Sequence, residues 1–337
     1  MTQRERVYAA LRFEETDAIP YIVNLEPGVA EKLDAHYGGR DRWPAYQSCQ
    51  AKMGWTWPRV ELEGRRYRDG FGVVWQDGNV PHTIDLPLRE PDLRGCHWPE
   101  ETVTDDDLMQ VERFCAENKD RFTVVVVGTS IFERCWALRG FENMLMDFVE
   151  HPAFVEALFE RLMQLQLDAL DRLLPLPMDA IAFGDDFGQQ KGLIMSPAHW
   201  RKYLKPRLAR VFATVRAAGK VLHFHSCGDN SEIMGELIDV GVQIFNPLQP
   251  EAMDISEMKR LYGRNVCFEG GIGTQATLYR GSPAQVRKEV ARCARILGHG
   301  GGYIMTTAKP IRPEVPTENA AACMEAIIEE AHRSPSV

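Results

Sequence analysis

Three side chains that bind soft metals stand at every second position of the stretch LHFHSCGD, Leu222 to Asp229: His223, His225 and Cys227. A strand repeats every two residues, so His225 and Cys227 can point to the same side. A neutral imidazole and a thiolate suit Zn²⁺, and a catalytic zinc usually takes three protein ligands and leaves one position open. A bare His-x-Cys is more often a hydrogen-bonded histidine beside a small buried cysteine. Two features favour the metal here. The pair sits where a strand runs out, and NVCFEGG (265–271) offers Cys267 and Glu269 on one face two strands later. Glu269 is nearer the strand exit and is the expected third ligand. Cys267, a layer deeper, is the alternative, and His223 reads as packing.

Other strand ends also carry polar residues: Asn24, Thr129, Asp185 with Asp186, Asn246 with Gln249, and Thr306 with Thr307. Burying so many polar groups without partners would be costly. Asp185 and Asp186 follow AIAFG, and neighbouring residues on a strand face opposite ways. One can serve as general acid or base, touch substrate or contact the metal, while the other caps a turn. Both enter as catalytic candidates. Asn24, Asn246 and Gln249 are expected to bind substrate. Phe132, Arg134 and Trp136 can form a pocket wall, against the alternative of ordinary helix packing.

Strand-like runs at 19–24, 123–128, 179–186, 220–228, 242–247, 265–271 and 302–307 alternate with amphipathic helical runs. The helical runs SPAHWRKYLKPRLARVFATVRAAG and SPAQVRKEVARCARILG both open on Ser-Pro and stop at Gly. This alternation implies βα units, a parallel sheet and, with no phosphate-binding glycine loop after the early strands, a distorted (β/α)8 TIM barrel of the α/β class. The eighth strand is either GVVWQD (72–77) or absent from that region, with EGRRYRDGFGVVWQDGNVPH forming a hairpin laid on the barrel. The expectation is a single domain, 1–337, whose first part, 1–115, is an N-terminal elaboration.

The chain has 337 residues, 45% of them hydrophobic, and a net charge of −9. Such a charge argues against nucleic acid as a partner. No apolar run approaches the ~20 residues that span a bilayer, so no membrane partner is expected. The start shows no apolar signal-peptide core, and the eight cysteines form no CxxC pair. A reduced, cytoplasmic protein is the expectation.

RERVYAALRFEETDAIP, FERCWALRGFENMLMDF, AFGDDFGQQKGLIMSPAHWRKYLKPRL, HFHSCGD, VQIFNPLQPEAMD, FEGGIGTQATLYRGSPAQV and PEVPTEN, spread over nearly the whole chain, together resemble the uroporphyrinogen decarboxylase superfamily. Within it the chain looks closer to the cobalamin-linked methyltransferase branch. The resemblance implies a distorted TIM barrel and, in that branch, zinc bound through the His-x-Cys that His225 and Cys227 match. Some members take a third, cysteine ligand from the last strand, and IMTTAKPIRPEVP has none. The decarboxylase carries an arginine-rich stretch after its first strand that grips the porphyrinogen carboxylates. Here YIVNLEPGVAEKL has no arginine, so porphyrinogen decarboxylation is not expected.

The resemblance implies a zinc-dependent methyltransferase of the O-demethylase type. Its methyl donor would be a methoxylated small compound, of aromatic type, and its acceptor the corrinoid (cobalamin) of a separate partner protein. DAHYGG (34–39) fits the cobalamin pattern DxHxxG but follows a helical run with no second domain available, and reads as a helix end. Barrels of this family often pair, which leaves a homodimer open. The alternatives are a metal-dependent decarboxylase or lyase acting on a small carboxylate, and a non-catalytic ligand-binding barrel.

Overall fold

A computed structural model describes residues 1–54, 59–78, 81–128 and 130–333. Thr129 lies outside the described residues. A parallel sheet follows the order β1 (Gln50–Gly54), β6 (Phe122–Val126), β7 (Ala180–Gly184), β8 (Val221–His225), β9 (Ile244–Leu248), β10 (Cys267–Ile272), β11 (Tyr303–Thr307). A second, antiparallel sheet takes β2 (Arg59–Leu62), β3 (Arg66–Asp69), β4 (Val74–Gln76) and β5 (His82–Asp85).

The run 19–24, read from the sequence as an ordinary strand, closes the gap between β11 and β1 by isolated bridges. Tyr21 pairs in parallel with Met305, Ile22 N–H donates to Met305 O at 2.9 Å, and Cys49 N–H donates to Tyr21 O at 2.8 Å. Pro20 has no N–H to extend this ladder, though its carbonyl accepts from Met305 N at 2.8 Å. The fold is thus a TIM barrel with one irregular stave. GVVWQD does not join it: β4 is an inner strand of the antiparallel sheet, the second of the two placements read from the sequence. The strand overlooked there is β1, QAKMG, whose polar residues hide its place in the barrel.

Alternation along each strand divides the core in two. Phe122, Val124, Ala180, Ala182, Val221, Ile244, Cys267 and Ile304 fill the barrel interior, with Val7 and Ala10 of the N-terminal helix Gln3–Leu11 packed on them. Val125, Ile181, Phe183, Leu222, Phe224, Phe245, Phe268 and Met305 face the outer helices. Both faces are covered, which is why these strands read as continuous apolar runs. Asp179 fastens the N-terminal helix, accepting from Arg4 Nη2 at 2.6 Å and Tyr8 Oη at 2.8 Å.

The helical runs are broken where proline dictates. The amphipathic run FENMLMDFVEHPAFVEALFERLMQLQLDALDRLL (141–174) splits into Phe141–Glu150 and Pro152–Leu173, with Pro152 at the first position of the second helix. The Ser-Pro run starts under a Ser196 cap, passes through a π-type turn at Trp200–Leu204 just before Pro206, and continues as Lys205–Ala217. Among the described residues no helix is long and apolar enough to cross a membrane.

Candidate functional site

Three loops meet at the end of the barrel where the strands run out. β7 leads into Asp185 and Asp186, β8 into Ser226–Gly228, and β11 into Lys309. The first two loops touch backbone to backbone: Asp185 N–H donates to His225 O and Gly188 N–H to Cys227 O. Gly228 has φ +79°, and a Cβ there would lie 2.3 Å from the Gly188 carbonyl carbon. Only glycine allows that approach, so the Gly of HSCG serves to press the Cys227 loop onto the Asp186 loop.

The contact brings together three ligand atoms. Among the described residues Asp186, His225 and Cys227 form a group whose donor atoms all lie within 4.8 Å of one another. His225 Nε2 is 3.2 Å from Cys227 Sγ and 3.7 Å from an Asp186 carboxylate oxygen. Asp186 also accepts from Cys227 N–H at 2.7 Å. Lys309 Nζ donates to Cys227 Sγ at 2.7 Å.

The histidine is oriented from behind. Its Nδ1 is 2.5 Å from Asn246 Oδ1, and Asn246 Nδ2 donates to Glu269 Oε1 at 2.9 Å. An ionised carboxylate only accepts, so the amide nitrogen of Asn246 faces Glu269 and its oxygen faces His225. His225 must then carry its proton on Nδ1 and leave the Nε2 lone pair toward Cys227 and Asp186, the tautomer a metal needs. Burial first, with the Lys309 charge adding, lowers the His225 pKa, so the ring is neutral. Burial first, then Asp186, pushes the Cys227 thiol up to about 11, against the pull of Lys309. A metal must therefore displace a thiol proton. Nitrogen, sulfur and carboxylate oxygen, with a hydrogen-bonded imidazole behind them, fit Zn²⁺.

Glu269, the expected third ligand, lies outside this group. Its carboxylate accepts from Gln50 Nε2 at 2.8 Å, Lys52 Nζ at 2.7 Å and Asn246, and its Oε2 is 3.2 Å from His223 Nε2. Burial acts to raise its pKa, but Lys52 and His223 outweigh it and hold Glu269 ionised, well below the usual range. The carboxylate that joins His225 and Cys227 is Asp186, expected as a catalytic residue. Cys267, the alternative ligand, is buried in the apolar barrel interior. His223, read as packing, is buried with its ring against Glu269.

Asp185 and Asp186 divide as neighbours on a strand must. Asp185 is 2% exposed and accepts from Ile131, Phe132 and Glu133 N–H, at 3.1, 2.8 and 2.8 Å. It thereby binds the start of the helix Phe132–Arg139, the capping alternative rather than a catalytic placement. Burial and Glu133 push its pKa up, opposed by those three amides. Arg134 pairs with Asp69 of the antiparallel sheet and stacks on Phe71, so its charge is already used. Trp136 packs edge-on against Phe141. Gln249 accepts from Gly228 N–H at 3.2 Å, supporting the loop, and Asn24 is exposed at the end of the closing stave.

Sequence reading missed Lys309, Lys52, Gln50 and Glu133. Lys309 follows β11 directly, and the strand-exit rule would have flagged it. Burial first, then Asp186, pushes Glu133 up to about 7, which makes it a group able to hold or release a proton beside the triad.

The uroporphyrinogen decarboxylase (URO-D) family model matches residues 70–330. The chain belongs to the uroporphyrinogen decarboxylase family. Family relatives include a uroporphyrinogen decarboxylase of Thermus thermophilus, 32% identical over 184 residues, covering 52% of this chain and 49% of that protein. Another, from Pseudomonas fluorescens, is 36% identical over 76 residues, 23% of this chain and 21% of that protein. The chain thus spans about half, or less, of the length of these curated relatives. Over nearly all its length the fold is similar to that of a methyltransferase from Methanosarcina mazei, with TM-score 0.69, 17% identity, and coverage of 98% of this chain and 99% of the other. The family is one of enzymes, and the barrel mouth described above is where such folds place their chemistry.

Proposed function

We propose that this chain is a zinc-dependent methyltransferase of the O-demethylase type, moving a methyl group from a methoxylated small aromatic compound to the corrinoid of a separate protein. The observation that carries the reading is the convergence of Asp186, His225 and Cys227 at the barrel mouth, with the imidazole proton held away from them by Asn246. The methyltransferase of the same fold supports it. Against porphyrinogen decarboxylation, the segment from Tyr21 to Leu33 carries no arginine to hold a polycarboxylate.

Asp186, His225 and Cys227 would hold the zinc, which supplies Lewis acidity to the ether oxygen of the leaving phenolate. Asn246 and Glu269 keep the His225 tautomer fixed. Glu133, half-buried beside Asp186, is placed to hold or pass a proton near the departing oxygen. Lys309 offers a positive charge at Cys227 that balances a thiolate.

The purified protein should hold about one zinc per chain by mass spectrometry, and Cys227→Ala should not. Zinc-loaded wild type should methylate cob(I)alamin from a panel of methoxybenzoates, followed by the absorbance of methylcobalamin. The absence of transfer from every methoxylated compound sinks the reading. Release of CO₂ from a small carboxylate without methylcobalamin would instead point to a lyase, a reading favoured by the exposed cation Lys309 at Cys227.

A further inference from the structure

The helix Pro283–Gly298 buries Val286, Val290, Cys293 and Leu297 and exposes Lys288, Arg292 and Arg295 at steps of four and three residues. With the exposed Arg280 from the preceding turn, these cations line a groove of about 800 Å³. Among the described residues none of the four forms an ion pair, although the chain carries a net charge of −9. Arg287, on another face of the same helix, pairs with both Glu325 and Glu329. Like charges at these helical steps repel, so the stripe weakens its own helix.

Two carboxylates, Glu251 and Glu289, also line the groove; each has one oxygen on a backbone amide, and the other Glu251 oxygen is buried without a partner. Glu289 accepts from Gly273 N–H and Glu251 from Gln275 N–H, each at 2.7 Å, holding the loop after β10. Asp254, which feels the Arg292 charge, caps the helix Ile255–Tyr262 through the amides of Ser256 and Glu257. The groove runs down the outer flank of the barrel, and its upper end is formed by Pro250, Glu251, Ala276 and Thr277 in the loops after β9 and β10, on the side of the candidate metal centre. Gln190, in the loop that carries Asp186, donates to Glu251 O at 3.1 Å and accepts from Gln275 Nε2 at 3.4 Å. A molecule seated in the groove therefore borders the loop that supplies a metal ligand.

Lys288 to Arg295 cover about 10 Å of helix axis, with Arg280 beyond. A row of that length matches carboxylates spaced along a polypeptide better than one compact anion. We propose that this groove docks an acidic segment of the protein that presents the methyl acceptor to the barrel mouth. The assignment of that partner rests on the methyl-transfer reading; the preference for an acidic segment rests on the groove alone.

The test uses fluorescein-labelled deca-glutamate as the probe, read by anisotropy on the full chain. Wild type should bind it with an affinity that falls as salt rises. The triple variant Lys288→Glu, Arg292→Glu, Arg295→Glu should bind at least about tenfold more weakly. Arg89→Glu, Arg94→Glu, Arg113→Glu makes the same change of net charge on highly exposed residues elsewhere and should bind as wild type does. Zinc content and circular dichroism, unchanged in the groove variant, exclude misfolding as the cause. Equal weakening in both triples, or no binding to wild type, overturns the proposal. So does displacement of the probe by inorganic phosphate at equal charge concentration, which marks a small-anion site. A change of oligomeric state confined to the groove variant would assign the groove to a second copy of this chain and also overturn it. Failure of the cob(I)alamin assay with the probe result intact would remove the methyl-transfer reading and leave the acidic-segment site standing.

Discussion

Two histidine–carboxylate pairs sit one layer apart in this barrel, and they do opposite things. In the lower layer His223 meets Glu269, whose oxygens also take Gln50, Lys52 and Asn246. Both Glu269 oxygens are filled, although Gln50 Oε1 and His223 Nδ1 beside them are buried without a partner, and the pair is closed to solvent. At the mouth, His225 meets Asp186 at 3.7 Å, with both side chains about a third exposed. Here the imidazole lone pair has only a thiol for company, and the thiol is held protonated by burial and by Asp186. Both pairs set an imidazole against a carboxylate; the number of partners on the carboxylate differs. A satisfied carboxylate is a structural anchor, while an under-satisfied one beside soft donors can bind a ligand. Asn246 joins the two layers and passes the fixed charge of Glu269 to the tautomer of His225.

The largest expected effect separates the layers outright. Cys227→Ala should abolish stoichiometric zinc while leaving the melting temperature of the metal-free protein within a few degrees, because the thiol is only partly buried. Zinc retained in that variant would break the distinction. Glu269→Ala should act mainly on stability, with zinc still bound but more weakly because Asn246 loses the acceptor that orients it. Removing one partner of a buried pair strands Lys52 and costs about 3 kcal/mol in urea unfolding, at the low end because Lys52 is 36% exposed. Asn246→Ala tests the link between them: zinc affinity measured by chelator competition should fall about 10- to 100-fold, the usual cost of removing a ligand's outer partner.

Two smaller effects sharpen the picture. Asp185→Ala removes a cap of three amides and should cost about 1–2 kcal/mol of stability without changing zinc content. Loss of zinc there would return Asp185 to the metal centre. The pH dependence of zinc affinity should show one proton released, not two, between pH 6.5 and 8. The Cys227 thiol, pushed up to about 11, must lose its proton to bind, so affinity rises with pH. His225, its pKa lowered by burial, is already neutral there and contributes nothing. A two-proton slope in competition titrations would show that the imidazole is charged in the metal-free protein.

Much of the barrel was legible from the sequence because strands covered on both faces are apolar throughout, and the Ser-Pro and Gly signals mark their helices. β1 was not, because Gln50 and Lys52 point into a polar layer and make QAKMG look like a loop. The closing stave looked like a strand and is only bridged, since Pro20 interrupts its donors. At the site, the two-residue spacing of His225 and Cys227 was enough to place them on one side of a strand end. Sequence reading favoured Glu269, with Cys267 as the alternative, for the third ligand, whereas the structure brings Asp186 to the pair.

The sequence by itself determined the alternation of strands and helices, the family, and the paired soft donors at a strand exit, because these depend on local spacing. Only the tertiary structure decided that Asp186 faces His225 while Asp185 caps a helix, that Glu269 is claimed by Lys52, and that Lys309 reaches Cys227 across 82 residues of chain. Those choices depend on which side chains compete for each acceptor, and that competition exists only once the barrel has closed.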